Sequence, residues 1–206
     1  MAVKAVVFDL LTALLDSWTL WNAAANNDPE HGRRWRARYL ELTFGCGAYK
    51  PYEELVRISA ADVGLPEEAP AALIADWDQL QPWPEVKAVL SELRDKGYKL
   101  GVVSNCSIGL GRRALARCET DFDAFVTAEE VGFYKPHPNT YGAILAALGV
   151  SAEEALFVAG SNGDVVGAAK SGMQVVWHNR IGLRALPGSS PLVEAKSLDR
   201  ALSHFL

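Results

Sequence analysis

The chain has 206 residues, half of them hydrophobic, and sets 20 Lys and Arg against 25 Asp and Glu for a formal net charge of −5. That length supports one full core with a smaller appended unit, and the acidic balance, with a pI near 5.4, argues against a polyanion-binding face, so nucleic acid is not an expected partner. No apolar stretch reaches the roughly 18 residues of a membrane-spanning helix, and Cys46, Cys106 and Cys118 form no C-x-x-C pair, so neither a disulfide framework nor a zinc site is expected and a reducing, cytoplasmic setting fits.

In chain order, the opening MAVKAVVFDLLTALLDSW carries Asp9 and Asp16 inside its apolar run and lacks a small-x-small cleavage site, so it reads as buried structure rather than a signal peptide. Val3 to Phe8 is a continuous valine-rich run, the pattern of a strand covered on both faces. Between this strand and Leu100 the character changes: Trp18, Trp21, Trp35 and Trp77 appear, with helical periodicity over Trp35 to Phe44. The segment is too long for one crossover. It predicts a helical cap, spanning 16–84, inserted after the first strand and lying over the carboxyl ends of the strands, where open α/β sheets hold their ligands. Downstream, Leu100 to Val103, Ala124 to Val126, Ala155 to Val158 and Gln174 to Trp177 repeat the strand pattern, separated by helical stretches such as Trp83 to Lys96 and Asn139 to Leu148. Alternating strand and helix predicts an α/β fold, a doubly wound Rossmann-like parallel sheet, over 1–15 and 85–206. The run from Pro187 to Pro191 reads as an exposed loop.

Four polar signals follow the expected strand ends and would converge on one crevice. Asp9 ends the first strand; alone it would be a turn former or helix cap. Ser104 and Asn105 follow the strand at Leu100 and head a turn suited to anions, although a serine there is commonly a cap. Lys135 sits between Tyr134 and Pro136 in a stiff loop, where the plain alternative is a solvated lysine. Ser161, Asn162 and Asp164 follow the strand at Ala155 in a glycine-rich turn.

These four motifs, in this order, resemble those of the haloacid dehalogenase superfamily, and the likeness covers nearly the whole chain. In its phosphatase branch a second acid stands two residues after the nucleophile, and two acids in the last motif hold magnesium. Here those places are Leu11 and Gly160, with Asp164 retained. Loss of a carboxylate weakens a site for a hard divalent cation, so no metal or other cofactor is expected. The chain looks more like the 2-haloacid dehalogenase branch, whose partner is a small-molecule carboxylic acid. The resemblance implies Asp9 as nucleophile on the α carbon, with Lys135 keeping it ionised and Asp164, with Ser161 or Asn162, orienting the water that hydrolyses the ester. It makes Arg36, in RRWRARYLELTFG, and Asn105 the receivers of the leaving group. Ser104 and the amides near Leu10 and Leu11 would bind the substrate carboxylate, and Tyr141 stands where the family has a tyrosine six residues after the lysine.

The first motif nonetheless reads Asp9, Leu10, Leu11, Thr12, Ala13, and the aromatic that walls the halide pocket is replaced by Gly163. Trp18 or Trp21 could refill that wall from the cap base, although core packing is the commoner role for a single tryptophan. Such changes leave the leaving group open, with ring opening of a cyclic amino acid such as azetidine-2-carboxylate as a second reading, assisted by Asn105 or Asp16. A magnesium-dependent phosphatase and a non-catalytic binding protein complete the alternatives. Related dehalogenases often pair through cap helices, which allows a homodimer.

Overall fold

The computed structural model describes residues 2–206. Six strands, β1 (Ala5–Asp9), β2 (Lys99–Ser104), β3 (Ala124–Thr127), β4 (Ala155–Ala159), β5 (Gln174–His178) and β6 (Val193–Ala195), form one sheet. Their order is β3-β2-β1-β4-β5-β6 and every pairing is parallel. β1 is central, and the chain turns to one side of it and then to the other, so the carboxyl ends of β1, β2 and β4 border one crevice.

Each of the five anticipated strands runs one residue past its apolar run, to Asp9, Ser104, Thr127, Ala159 and His178. Backbone pairing is indifferent to side-chain polarity, so Asp9 still pairs with Val103 and Ser104 with Thr127. The strand expected from Val3 begins instead at Ala5. β6, three residues beyond the Pro187 to Pro191 loop, was not foreseen because so short a run carries no period.

Between β1 and β2 come a π-helical turn (Leu10–Leu14) and four helices, α1 (Ser17–Ala24), α2 (Pro29–Gly45), α3 (Tyr52–Asp62) and α4 (Ala69–Ala75). α2 begins sharply: Asp28 accepts hydrogen bonds from the amides of Glu30 and His31, and Pro29 occupies its first turn. Over its 17 residues, spacings of three and four bring Arg36, Tyr39, Leu40 and Phe44 to one face. Gly32 lets α1 come close, since a Cβ there would lie 2.8 Å from Asn22 Cα. Beneath them is an aromatic core, with ring centroids of Trp21 and Trp35 4.6 Å apart and those of Tyr52 and Trp77 5.7 Å apart. The two chain crossings at its root are zipped together: the Asp16 amide donates to Gln81 O at 2.8 Å and the Trp83 amide to Leu14 O at 3.0 Å.

The remaining helices are α5 (Val86–Asp95), α6 (Ile108–Ala116), α7 (Ala128–Val131), α8 (Pro138–Leu148), α9 (Asn162–Lys170) and α10 (Leu198–Ala201). The helix expected from Trp83 starts only at Val86, because Trp83 still belongs to the zipped root. Alternate residues of β1 serve two cores: Val6 and Phe8 pack with the cap and α5, Ala5 and Val7 with α8 and α9. No helix among the described residues is long and apolar enough to cross a membrane.

Candidate active site

Asp9 has extended backbone angles (φ −65°, ψ 140°) and caps the π-helical turn that follows it. Its Oδ2 accepts from the amides of Thr12 at 2.9 Å and Ala13 at 3.3 Å, and from the Thr12 hydroxyl. The cap role that a lone aspartate suggests is thus real, and it fixes the carboxylate. The turn itself is braced, with Trp83 Nε1 donating to Thr12 O at 3.1 Å and His178 Nδ1 to Ala13 O at 2.9 Å.

Lys135 is 1% exposed. Its Nζ donates to Asp9 Oδ1 at 2.7 Å and to Asp164 Oδ2 at 2.9 Å. Asn105 holds the lysine in place through the backbone: Asn105 Oδ1 accepts from Lys135 N at 2.7 Å and Nδ2 donates to Lys135 O at 3.0 Å. Asp164 lies in the first turn of α9, whose Ser161 cap accepts from its amide at 3.4 Å. The Tyr141 hydroxyl donates to Asp164 Oδ1 at 2.9 Å. Gly167 makes that approach feasible, since a Cβ there would meet Tyr141 Oη at 2.5 Å.

Burial disfavours the charge on Asp9, but the Lys135 ammonium and the Thr12 donors outweigh it and hold the carboxyl below its ordinary range. Asp164 goes the other way: burial, reinforced by the Asp9 charge, raises it despite Lys135. Burial likewise works against the Lys135 cation, yet the two carboxylates raise its pKa above the ordinary lysine value. The ion triad therefore keeps Asp9 as a carboxylate, the form a nucleophile requires.

Arg36, 5% exposed, faces the same space from α2. Its guanidinium lies 4.2 Å from the Trp18 ring centroid and donates to Ser17 Oγ, which in turn donates to Leu11 O. No carboxylate forms an ion pair with it among the described residues. Burial lowers its pKa, opposed by nearby Tyr52 and Asp9. A buried cation without an anionic partner is costly, and it favours an anion arriving beside it.

The chamber between these groups measures about 30 Å³. Asp9, Arg36, Asn105, Lys135, Ser161 and Asp164 supply its polar lining, and Leu11, Trp18 and Leu40 part of its apolar wall. Leu10, singled out for its amide, packs its side chain in the core, and Ser104 is buried with its Oγ accepting from the Cys106 thiol at 3.3 Å. Asn162 Nδ2 turns outward to Arg184 O at 3.0 Å. Tyr141 reaches the chamber only through Asp164.

Five further residues escaped the sequence reading: Thr12 and Ser17, which bond the turn after Asp9, and Tyr39, Leu40 and Phe44 on α2. Only the spacing of the last three from Arg36 signals them. The wall lost at Gly163 is refilled neither by Trp21, which packs against Trp35 and Tyr39 in the cap, nor by Trp18 alone. Phe44 fills it: a Cβ on Gly163 would meet the Phe44 ring at 2.4 Å.

The donor set does not fit magnesium. Asp9 and Asp164 already share the Lys135 ammonium, and a Cβ at Gly160 would lie 2.2 Å from Thr12 Oγ1 and 2.4 Å from the Ala13 amide, leaving no room for a carboxylate. No group of three or more His, Cys, Asp or Glu suited to a metal occurs among the described residues.

The model of the haloacid dehalogenase-like hydrolase family matches residues 3–172. The chain belongs to that family of hydrolases. Haloacetate dehalogenase H-2 of Moraxella sp. (strain B) is 30% identical over 195 residues, covering 87% of each chain. A phosphatase of Mycobacterium tuberculosis is 30% identical over 201 residues, covering 88% of this chain and 90% of its own length. A solved L-2-haloacid dehalogenase superposes with a TM-score of 0.87 at 28% identity, covering 100% of this chain and 99% of that one. The family therefore spans both chemistries at the same distance, and the site geometry has to discriminate between them.

Proposed function

We propose that the protein displaces an anionic substituent, of the halide type, from the α carbon of a small 2-substituted carboxylic acid without a metal. We take 16–84 as the cap and 1–15 with 85–206 as the catalytic core. The observation that carries the reading is the buried, unpaired Arg36 facing a carboxylate, Asp9, that Lys135 keeps ionised.

Asp9 attacks the α carbon from behind the departing bond, forming an ester and inverting the centre. The leaving anion takes up the place beside Arg36 that no carboxylate among the described residues fills. Asn105 acts as a positioning residue, because its amide is committed to the Lys135 backbone. Asp164, held by Lys135 and Tyr141 and with the higher carboxyl pKa of the two, stands on the far side of the ammonium to direct the water that hydrolyses the ester.

Ring opening of a cyclic amino acid finds less support. An amine leaving group wants a proton donor, whereas Arg36 offers a fixed cation and Asp16 caps α1 through Thr19 at 3.1 Å. Phosphoryl transfer is disfavoured by Leu11 at the second-acid position and by the filled space at Gly160.

The test is halide release from 2-chloropropionate in the presence of EDTA, compared with Asp9→Asn. Metal-independent release that this substitution abolishes supports the reading; hydrolysis of a phosphate ester that requires magnesium and leaves 2-chloropropionate intact overturns it.

A further inference from the structure

The chamber at Asp9 is narrow, about 30 Å³. Directly outside it lies a groove of about 430 Å³, within the range of small-ligand pockets. The two share a wall of three residues, Trp18, Leu40 and Phe44. Ala37 of α2, Asn162, and Leu183 and Leu186 of the loop after β5 line the rest of the groove with Arg33 and Glu41, so its lining is mostly apolar.

Phe44 is the part of this wall best able to move. Its ring leans on Gly163, which presents no side chain to lock it. Among the described residues no hydrogen bond ties α2 to 159–190. The cap is stapled to the core elsewhere, from α2 by Tyr39 Oη, which donates to Asn105 O at 2.9 Å, and beyond α2 by the Tyr49 amide to Gly132 O at 2.7 Å and Tyr134 Oη to Lys50 O at 2.7 Å. Widening the chamber at the Phe44 side therefore breaks only van der Waals contacts, and it merges the chamber with the groove.

We propose that the groove is the tail subsite of the same active site, taking the unbranched apolar chain of a 2-substituted carboxylic acid whose α carbon lies at Asp9, with Phe44 setting the passage. The proposal rests on the substitution chemistry above. It extends that chemistry from short acids to medium-chain ones. An aromatic side chain grown from position 163 would occupy the volume of the Phe44 ring, so a glycine there is what lets an α2 residue, rather than a core residue, form this boundary.

The experiment titrates the full chain with unreactive propionate, hexanoate and octanoate by calorimetry, alongside turnover of the matching 2-chloro acids and sedimentation of the protein. Full burial of a methylene is worth about fourfold in affinity, so octanoate is expected to bind at least about tenfold more tightly than propionate. Leu186→Asp, outside the chamber, is expected to erase that preference while leaving turnover of chloroacetate unchanged. Affinity that stays flat or falls with chain length overturns the proposal, as does a Leu186→Asp effect equal at all lengths. A variant that turns a dimer into a monomer without altering chain preference overturns it too, by giving the groove to a second copy of the chain. If every 2-chloro acid stays intact, the substitution chemistry fails separately, and the carboxylate affinities still decide the subsite.

Discussion

Replacing Lys135 with Met removes the cation between Asp9 and Asp164 and leaves two buried carboxylates 2.7 and 2.9 Å from its former place. The burial that Lys135 outweighs at Asp9 then acts unopposed except by the Thr12 donors. Burial disfavours the ionised carboxyl, so the acid limb of kcat/KM is expected to move clearly to higher pH. Stability follows with a definite sign. Asp9 titrates below its unfolded value of about 3.9, so its contribution is present above that pH and is lost as pH falls through the folded value. Lys135 is raised above about 10.4, so its contribution is present below that pH and is lost as pH rises through the folded value. Asp164, raised by burial, subtracts from stability above about pH 4. Removing one partner of a buried ion pair costs about 3–5 kcal/mol, a large share of the roughly 5–15 kcal/mol of a typical domain; Lys135→Arg, which keeps the charge, controls for folding. Halide release against pH and urea unfolding measure the two effects. A Lys135→Met protein with the parental acid limb and parental stability would refute the reasoning.

Other substitutions separate the remaining roles. Arg36→Met should lower kcat/KM for 2-chloropropionate by about 100-fold or more while thermal unfolding finds the protein at least as stable, since an unpaired buried cation is gone; retained halide release would contradict the assignment. Gly160→Asp forces a carboxylate onto Thr12 Oγ1, 2.2 Å from the Cβ position. It is expected to cost about 1–3 kcal/mol in urea unfolding and to confer no magnesium-dependent phosphatase activity, so a gain of that activity would count against the steric argument. Gly167→Ala pushes on Tyr141 Oη, 2.5 Å away, and should detach it from Asp164. Rapid-quench kinetics should then show an unaltered halide burst followed by a slower steady state; a slowed burst would move Tyr141 to the first step.

Asp9 and Lys135 were legible in the sequence only in company: alone they read as a cap and a solvated lysine, and the order of all four strand-end motifs carries the signal. Arg36 became visible only through resemblance, since helical periodicity locates α2 but not the neighbour its face meets. Ser104 shows the limit of a strand-end argument. It does end β2, yet its side chain is buried beside Cys106 rather than lining the chamber, and a single register position decides which it does. Asn105 as a halide ligand came only from the resemblance; it lines the chamber, and its amide also clamps a backbone thirty positions away, which no local pattern signals. The Phe44 wall was hidden for a physical reason: one half of the contact is a glycine, and an absent side chain carries no sign of what fills its space.

The central claim is that Asp9 forms a covalent ester with the substrate. With enzyme in excess over 2-chloropropionate in heavy-oxygen water, a single turnover should place the label in the Asp9 side chain, detected by mass spectrometry of the peptide that contains it, and the first lactate released should be unlabelled. Label found directly in that first product, with Asp9 unchanged, would mean that water attacks the α carbon itself and would contradict the account.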